Sequence, residues 1–294
     1  MLIALIVAIA FQGSRGLFET TEGRYAEVAR EMVATGDWIT PRLDGAEHWS
    51  KPPLAYWTIA LGIRAAGPNG WGVRGFNIIA FLATVLATCG IGAAMWDRDS
   101  GRLAALVTAT APFMVVGLNS VSTDMPLAMW EVAAVFCFWS ALRPGARHPA
   151  RWVNAMWIAF GLAFLTKGPP GLLPLAVIAI FAAVVRRRGQ FVPRLVRIEG
   201  LAFFLVLAFG WYALVVARDP SLAGYFLGEE VWGRVATSMH HRNPQWYKPL
   251  VIYILPLSIG LGFWFFDALP LAVRARGRVR RAITQSPAWM FLAL

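Results

Sequence analysis

The amino-acid sequence predicts an all-α polytopic membrane protein, and its composition and long apolar runs lead to that fold class. Hydrophobic residues occupy 58% of the 294 positions and charged residues only 15%, with a mean hydropathy of +0.56. A soluble domain carries about a quarter charged residues. Apolar runs such as 76–96 and 201–217 are about as long as a helix that crosses a bilayer. These observations exclude an ordinary soluble fold and a disordered chain.

Hydropathy places eight candidate membrane spans along the chain, with a ninth beginning near residue 288. The first span has too few apolar residues to cross a hydrocarbon core of about 30 Å at about 1.5 Å per residue, so we expect a short or clipped first transmembrane helix. The last apolar stretch stops as it enters the membrane, so we expect a C-terminally incomplete sequence. The eight spans are 1–13, 75–96, 103–119, 125–142, 152–166, 169–185, 199–217 and 249–267.

Basic residues are concentrated in alternate loops, which predicts the orientation of the chain. Fifteen of the 27 Lys and Arg residues lie in four short loops that hold only two acidic residues. By the positive-inside rule these loops face the cytoplasm. The net charge of +11 therefore follows from membrane topology, and nucleic acid is not an expected partner. The four loops are 97–102, 143–151, 186–197 and 274–281.

Spans and charge together divide the chain into five parts. The sequence predicts a short first helix, a long exterior loop that is the catalytic surface, a helical bundle, a second exterior loop, and a last part with one helix, a cytoplasmic Arg-rich loop and the start of another span. The boundaries of these parts are 1–13, 14–74, 75–217, 218–248 and 249–294.

Residues 14–74, called the first loop below, have the charge and aromatic density of a chemical surface. The first loop holds seven acidic and seven basic residues. Its apolar spacing predicts an amphipathic interfacial helix over 23–35 that ends at Gly36. A second helix is predicted over 54–66, because the preceding prolines, 52–53, are tolerated in a first helical turn. Composition alone leaves open whether this surface binds a ligand or is only a solvated amphipathic shelf.

Short motifs recur in order through most of the chain. They are Glu19–Glu27, Arg30–Met32, Gly36–Trp38, Pro41-Arg42, Lys51–Leu54, Tyr56-Trp57, Ser122–Met125, Phe164–Pro169 and His241–Tyr247. This series resembles the membrane glycosyltransferases of the family 39 type in the GT-C superfamily, which includes lipid A aminoarabinose transferases and protein O-mannosyltransferases.

The resemblance implies a GT-C-like transmembrane bundle with interfacial juxtamembrane helices in the first loop. It implies a sugar donor linked to polyprenyl phosphate, an acceptor that is lipid A, a protein or another envelope glycan, and contact with membrane lipids. It places the reaction on the periplasmic or exterior face of a bacterial inner membrane, the side that charge assigns to the first loop. No cofactor is certain, and a divalent metal ion is a candidate without an assigned ligand set.

Carboxylates within the motifs are the candidates for the base that removes the acceptor proton. Many members of the family have an Asp-Glu pair where this chain has Thr21-Glu22, so the resemblance assigns the acidic role to Glu22, with Glu19 as the second candidate. The alternative for Glu22 is an acid favoured by a helix N-terminus. Asp124, at the exterior boundary of a span, is a candidate for orienting the acceptor or the base, and its alternative role is a helix N-cap.

Cations on the exterior side are the candidates for binding the donor phosphate. Lys51 leads, because the prolines after it stiffen the backbone, and the others are Arg24, Lys167 and Arg234. For Lys167 the alternative is a side chain that only extends to the membrane interface. The candidate groove residues are Tyr25, Trp49, Tyr56, His241 and Tyr247. For Trp49, Tyr56 and Tyr247 the alternative is the aromatic belt of any membrane protein, and His241, like Arg234, is also a candidate for contact with phosphate or metal.

A membrane transporter or lipid flippase is the alternative function. Helices interrupted by Pro and Gly, and acids such as Asp124 and Glu131 in or near spans, also occur in translocation pathways. However, the sequence shows no repeated half, and transport does not explain the motifs of the first loop. Neither a GxxxxGK[ST] nor a GxGxxG element stands in a strand-helix setting, so nucleotide binding is not predicted.

Overall fold

The computed structural model describes residues 1–17, 20–143, 145–228, 247–267, 270 and 286–293. These residues are helical almost throughout. The helices are α1 (Leu2–Ile9), α2 (Thr20–Thr35), α3 (Leu54–Ala66), α4 (Gly70–Met95), α5 (Arg98–Thr110), α6 (Pro112–Asn119), α7 (Asp124–Leu142), α8 (Pro149–Lys167), α9 (Leu173–Arg187), α10 (Ile198–Arg218), α11 (Ser221–Gly224), α12 (Lys248–Leu261) and α13 (Pro287–Ala293). An antiparallel hairpin in the first loop pairs β1 (Arg42–Leu43) with β2 (Ala46–Glu47), and a 3-10 turn (Pro169–Leu172) precedes α9.

Several of the described helices are long and apolar enough to cross a membrane. They are α4, α7, α10 and the continuous stretch Pro169–Arg187. Helices α5 and α6 provide a further candidate span that bends by 56° between them. The bend occurs at Pro112, which opens α6, because proline lacks the N–H that would continue the α5 ladder. The predicted fold class, an all-α polytopic membrane protein, is confirmed.

The other predicted spans correspond to shorter or more polar helices. Helix α1 has only eight residues, about 12 Å at the helical rise. Helix α8 has 19 residues but carries Arg151, Asn154 and Lys167, and it packs mainly between α7 and α10. Helix α12 contains Pro256 in its interior. The five-part division of the chain stays a prediction.

Helices α2 and α3 form the body of the first loop and pack against each other. The α2 face that carries Tyr25, Val28 and Met32 joins the buried side chains of α3 in one apolar core. Helix α3 spans the predicted residues, whereas α2 begins three residues earlier than predicted. Both end before a glycine with positive φ, Gly36 and Gly67, a conformation that stops a helix at low cost.

The first loop lies at one end of the bundle. Glu22 contacts Arg74 at the start of α4 and Val121 just before α7, and Ile39 contacts Trp211 near the end of α10. The chain direction then places the connections after α4, after α7 and before α10 at the opposite end. These connections hold three of the four Arg-rich loops, whose cations are therefore separated from those of the first loop by the length of the helices; the fourth, 274–281, lies outside the described residues.

Candidate functional site

The Glu22 carboxylate is buried among donors at the base of the first loop. Its side chain is only 3% exposed. Oε1 accepts from Arg15 Nη2 at 2.7 Å and from the Val121 backbone N–H at 3.1 Å, and Oε2 lies 3.7 Å from Arg74 Nη2. Because these donors occupy the carboxylate oxygens, an acceptor substrate would have to displace one of them to reach Glu22.

Arg74 is the centre of this buried arrangement and has no exposed side-chain surface. Its guanidinium donates to the carbonyls of Gln12, Arg15 and Gly16 at 2.8 to 3.1 Å. These carbonyls belong to the segment before α2, so Arg74 holds that segment on α4. A buried cation is tolerated when it is paired and its donors are satisfied, and here both conditions hold.

Asp124 and Lys167 form an ion pair at the same end of the bundle. Asp124 opens α7 and Lys167 closes α8, so the antiparallel packing of these two helices brings the residues together. The Asp124 side chain is 63% exposed and that of Lys167 is 32% exposed. Ser122 Oγ lies 3.1 Å from the second carboxylate oxygen of Asp124. A candidate acid and a candidate phosphate ligand thus share one accessible position.

Arg24 and Lys51 form a cationic patch on the first loop, with His48 nearby and with tyrosines beside it. The Arg24 guanidinium carbon lies 5.9 Å from the centroid of the Tyr25 ring, and the rings of Tyr25 and Tyr56 are 5.2 Å apart. Burial and the nearby charges of Arg24 and Lys51 lower the pKa of His48 below its ordinary value. The same patch therefore favours a neutral imidazole and an incoming anion.

Burial is also the main reason that the pKa of the Tyr56 phenol is raised, and Tyr25 adds to this effect. The Tyr56 hydroxyl consequently keeps its proton across the physiological range and is available as a donor. It lies near Ser50, whose hydroxyl is 2.7 Å from His48 Nε2. The tyrosines, Ser50 and His48 supply neutral polar groups around the two cations.

Trp49 belongs to an aromatic wall that joins the first loop to α10. Its ring centroid lies 5.9 Å from that of Trp211 and 6.3 Å from that of Phe226. Trp211 Nε1 in turn donates to the carbonyl of Ile39 at 2.9 Å. Trp49 is followed after one residue by Lys51, so an apolar surface borders the cationic patch. This juxtaposition suits an amphiphile with an anionic head.

Comparison with known proteins identifies the family. Residues 50–212, more than half of the chain, match the family described as dolichyl-phosphate-mannose-protein mannosyltransferase. The chain belongs to this family. The match includes Lys51, Asp124 and Lys167, together with the helices that bring the last two into contact.

Curated relatives of this mannosyltransferase-family chain are named undecaprenyl phosphate-alpha-4-amino-4-deoxy-L-arabinose arabinosyl transferases. The protein from Pseudomonas aeruginosa (strain UCBPP-PA14) is 32% identical over 289 residues, which are 96% of this chain and 50% of the relative. The protein from Edwardsiella ictaluri is 30% identical over 272 residues, 90% of this chain and 48% of the relative. The chain spans about half the length of the curated relatives it matches.

Solved structures confirm the GT-C-like bundle. ArnT from Cupriavidus metallidurans, in a crystal structure bound to undecaprenyl phosphate, matches with a TM-score of 0.80 and 28% identity over 98% of this chain and 52% of that one. The oligosaccharyltransferase of Archaeoglobus fulgidus matches with a TM-score of 0.58 at 16% identity, over 99% of this chain and 44% of that one. The second likeness concerns the fold alone.

The structure does not test every predicted site residue of this mannosyltransferase-family chain. Glu19, Arg234 and His241 lie outside the described residues, and their roles stay predictions. Tyr247 immediately precedes α12, is 46% exposed, and leads into a helix that packs on α6.

The structure also adds residues that sequence reasoning missed. His48 lies beside the cationic patch. Its position three residues before Lys51 in the first loop could have predicted this placement. Arg15 and Arg74 surround Glu22, but neither stands in a motif, and only their contacts with Glu22 in the folded protein reveal them. Trp211, which lies 162 residues after Trp49 on a later span, completes the aromatic wall. Sequence patterns do not predict contacts between residues so far apart along the chain.

A divalent metal ion stays an untested prediction. Among the described residues, carboxylates of Glu27, Glu31 and Asp44 have oxygens within 4.8 Å of one another, a donor type that suits hard cations. Two of these groups, Glu27 and Glu31, already have partners in the protein. Glu27 accepts two bonds from Arg30, which lowers its pKa, and both oxygens of Glu31 face the backbone N–H of Gly45. The arrangement does not fit a metal site without rearrangement.

Proposed function

We propose that this chain is part of a membrane glycosyltransferase that moves a sugar from a polyprenyl-phosphate-linked donor to an acceptor. One observation carries the proposal: the tyrosine-lined cationic patch, the aromatic wall and the Asp124–Lys167 pair all lie at the first-loop end of the bundle. Similarity to arabinosyl transferases named for undecaprenyl phosphate, and to ArnT bound to that lipid, supports the donor class.

The cations of the patch are suited to the donor phosphate. Arg24 offers planar donors that match phosphate oxygens, and Lys51 offers a point charge beside two prolines. A neutral His48 adds a hydrogen bond without further repulsion among the cations. Trp49 and the wall behind it provide apolar surface for the first isoprenoid units of the lipid.

Asp124 is the accessible carboxylate for the acceptor proton. In the proposed step the acceptor oxygen or nitrogen forms a bond to the anomeric carbon, and the bond from that carbon to the phosphate oxygen breaks. The acceptor proton passes to Asp124, and the lipid phosphate leaves with the electron pair of the broken bond. Lys167 gives up part of its contact with Asp124 and stabilises the departing phosphate instead. This exchange frees the Asp124 carboxylate to act as the base.

The sugar and acceptor classes follow from the relatives. Amino-arabinose is the favoured sugar because the curated relatives are named for it, and lipid A is the favoured acceptor among lipid A, proteins and other envelope glycans. The reaction faces the periplasm across a bacterial inner membrane. Support for this side comes from the three Arg-rich loops within the described residues, 97–102, 143–151 and 186–197, which lie at the end of the bundle opposite the first loop. A transporter or flippase is disfavoured, because the family and its structural neighbours are transferases.

The test is release of lipid phosphate from a synthetic donor. Purified protein in detergent receives undecaprenyl phosphate that carries radiolabelled amino-arabinose, with and without lipid A as acceptor. We expect label to move to lipid A and free undecaprenyl phosphate to appear in equal amount. Absence of both products from folded protein, with lipid A and with a membrane extract as acceptor source, would overturn the proposal.

Lys51→Ala tests the patch within that assay. Loss of one preorganised charge contact to a phosphate lowers kcat/KM by about 10²-fold or more, while the protein stays folded because Lys51 lies in a loop. Arg64→Ala is the matched control, since Arg64 is an exposed cation on α3. Near-normal transfer by Lys51→Ala would remove Lys51 from the site.

A further inference from the structure

The break between α6 and α7 exposes backbone groups inside the protein, and side chains from elsewhere satisfy them. Asn77 Nδ2 donates to the carbonyls of Leu118 at 3.2 Å and Ser120 at 2.8 Å. Because a helix break in a membrane bundle is tolerated only where its freed groups find partners, these bonds are needed for the break to exist.

The remaining groups of the break are held by the residues around Glu22. The carbonyl of Asn119 accepts from both Arg15 and Arg74, and the N–H of Val121 donates to Glu22 at 3.1 Å. Four consecutive residues, 118–121, are therefore each bound by a side chain of Arg15, Glu22, Arg74 or Asn77. We call the side chains of Arg15, Glu22, Arg74 and Asn77 the buried clamp.

The buried clamp connects the two parts of the candidate site. Glu22 precedes Arg24 by two residues on α2, and Val121 precedes Asp124 by three residues. A displacement of the break therefore moves Asp124 relative to the cationic patch. We infer that the buried clamp sets the distance between Asp124 and the cationic patch, and that Glu22 is a positioning residue and not the general base.

This inference rests on the proposed function, and burial supports it. Asp124 is 63% exposed, whereas Glu22 is 3% exposed and faces two guanidinium groups. A proton acceptor needs a path to the substrate, and the donors that surround the buried Glu22 carboxylate close that path. Asn77 provides a decisive comparison, because an amide cannot act as a base yet contributes two bonds to the same clamp.

The experiment compares Glu22→Gln with Asn77→Leu in the transfer assay over a range of pH. A misplaced reacting group costs about 10²-fold in rate, so we expect both variants to lose between about 10-fold and 100-fold in kcat. In both variants the acidic limb of the pH–rate profile should lie at the same pH as in the wild type. The double variant should lose little more than the worse single variant, because the two residues act on one element.

Hydrogen exchange at residues 118–124 provides a readout that does not depend on transfer. We expect faster exchange in both variants than in wild type, and unchanged exchange in Asp99→Asn, which alters an exposed ion pair at the opposite end of the bundle. If wild type shows no transfer but exchange follows this pattern, the proposed function fails and the clamp stands.

Two results would overturn the inference itself. One is transfer near the wild-type rate in Asn77→Leu combined with loss of the acidic limb in Glu22→Gln, the signature of a general base. The other is unchanged hydrogen exchange at 118–124 in both variants, which would show that these side chains do not hold the break.

Discussion

Glu22 and Asp124 are carboxylates at the same end of one bundle, yet their surroundings differ sharply. Glu22 is enclosed by Arg15, Arg74 and a backbone N–H, whereas Asp124 is mostly exposed and paired with Lys167. Burying a charge requires that all of its hydrogen bonds be satisfied, which leaves no vacancy for a substrate. The comparison teaches that a place in a motif does not by itself make a carboxylate accessible, and that accessibility distinguishes the proposed base, Asp124, from the proposed positioning residue, Glu22.

Substituting the cation beside each carboxylate tests this comparison. Of Arg74→Ala and Lys167→Ala, we expect Arg74→Ala to cause the larger loss of stability. It leaves Glu22 buried beside fewer compensating charges and frees carbonyls of the segment before α2. Breaking a buried pair in this way costs about 3–5 kcal/mol. Thermal unfolding followed by size-exclusion chromatography measures the loss.

Arg74→Lys serves as the intermediate variant, since it keeps the charge but lacks the planar donors that reach several carbonyls. We expect its unfolding temperature to lie between those of wild type and Arg74→Ala. A stable, fully active Arg74→Ala protein would show that Glu22 does not depend on its buried partner.

Lys167→Ala should separate function from stability at the exposed carboxylate. The pair is accessible to solvent, so its contribution to folding is small, but the loss of a charge beside the departing phosphate lowers kcat/KM by about 10²-fold. Transfer kinetics and thermal unfolding are measured on the same preparation. Arg218→Ala removes an exposed cation at the same end of the bundle and should leave transfer unchanged.

The opposite pattern, lost stability with retained transfer, would assign Lys167 to the fold. Asp124 would then resemble Glu22, and the contrast between the two carboxylates would disappear.

The smallest expected effect is the pH dependence that His48 confers on the first loop. Burial and the charges of Arg24 and Lys51 lower its pKa below the ordinary value of 6.5, so the folded protein favours the neutral imidazole. Stability is therefore complete above that value and declines as the pH falls below it. Thermal unfolding of wild type and His48→Gln at about pH 7.5 and about pH 5.5 should show a smaller decrease in the variant.

His148→Gln, at the opposite end of the bundle, is the matched control and should retain the wild-type decrease. An equal decrease in wild type and in His48→Gln would show that the cationic patch does not perturb this histidine.

Local sequence patterns predicted the elements and missed their mutual placement. Helix α3 begins and ends at the predicted residues, since the proline pair before it and Gly67 after it act within one turn. The span predicted over 103–119 is instead two helices, α5 and α6, because hydropathy averages over Pro112. The Lys51 and Asp124 motifs were recognised, whereas the contact between Asp124 and Lys167 was not, since it joins residues 43 positions apart.

The sequence by itself determined the class of this protein: its apolar spans, the orientation implied by its Arg-rich loops, and motifs that resemble a transferase family. These properties depend on composition and on patterns among residues that are close in sequence. Such local features decide how each segment partitions between water and lipid. The tertiary structure decided which charged residues are buried and which are accessible. Burial of Glu22 and Arg74 depends on atoms contributed by the segment before α2, by α4 and by the α6–α7 break together, and no segment of the sequence contains that information alone.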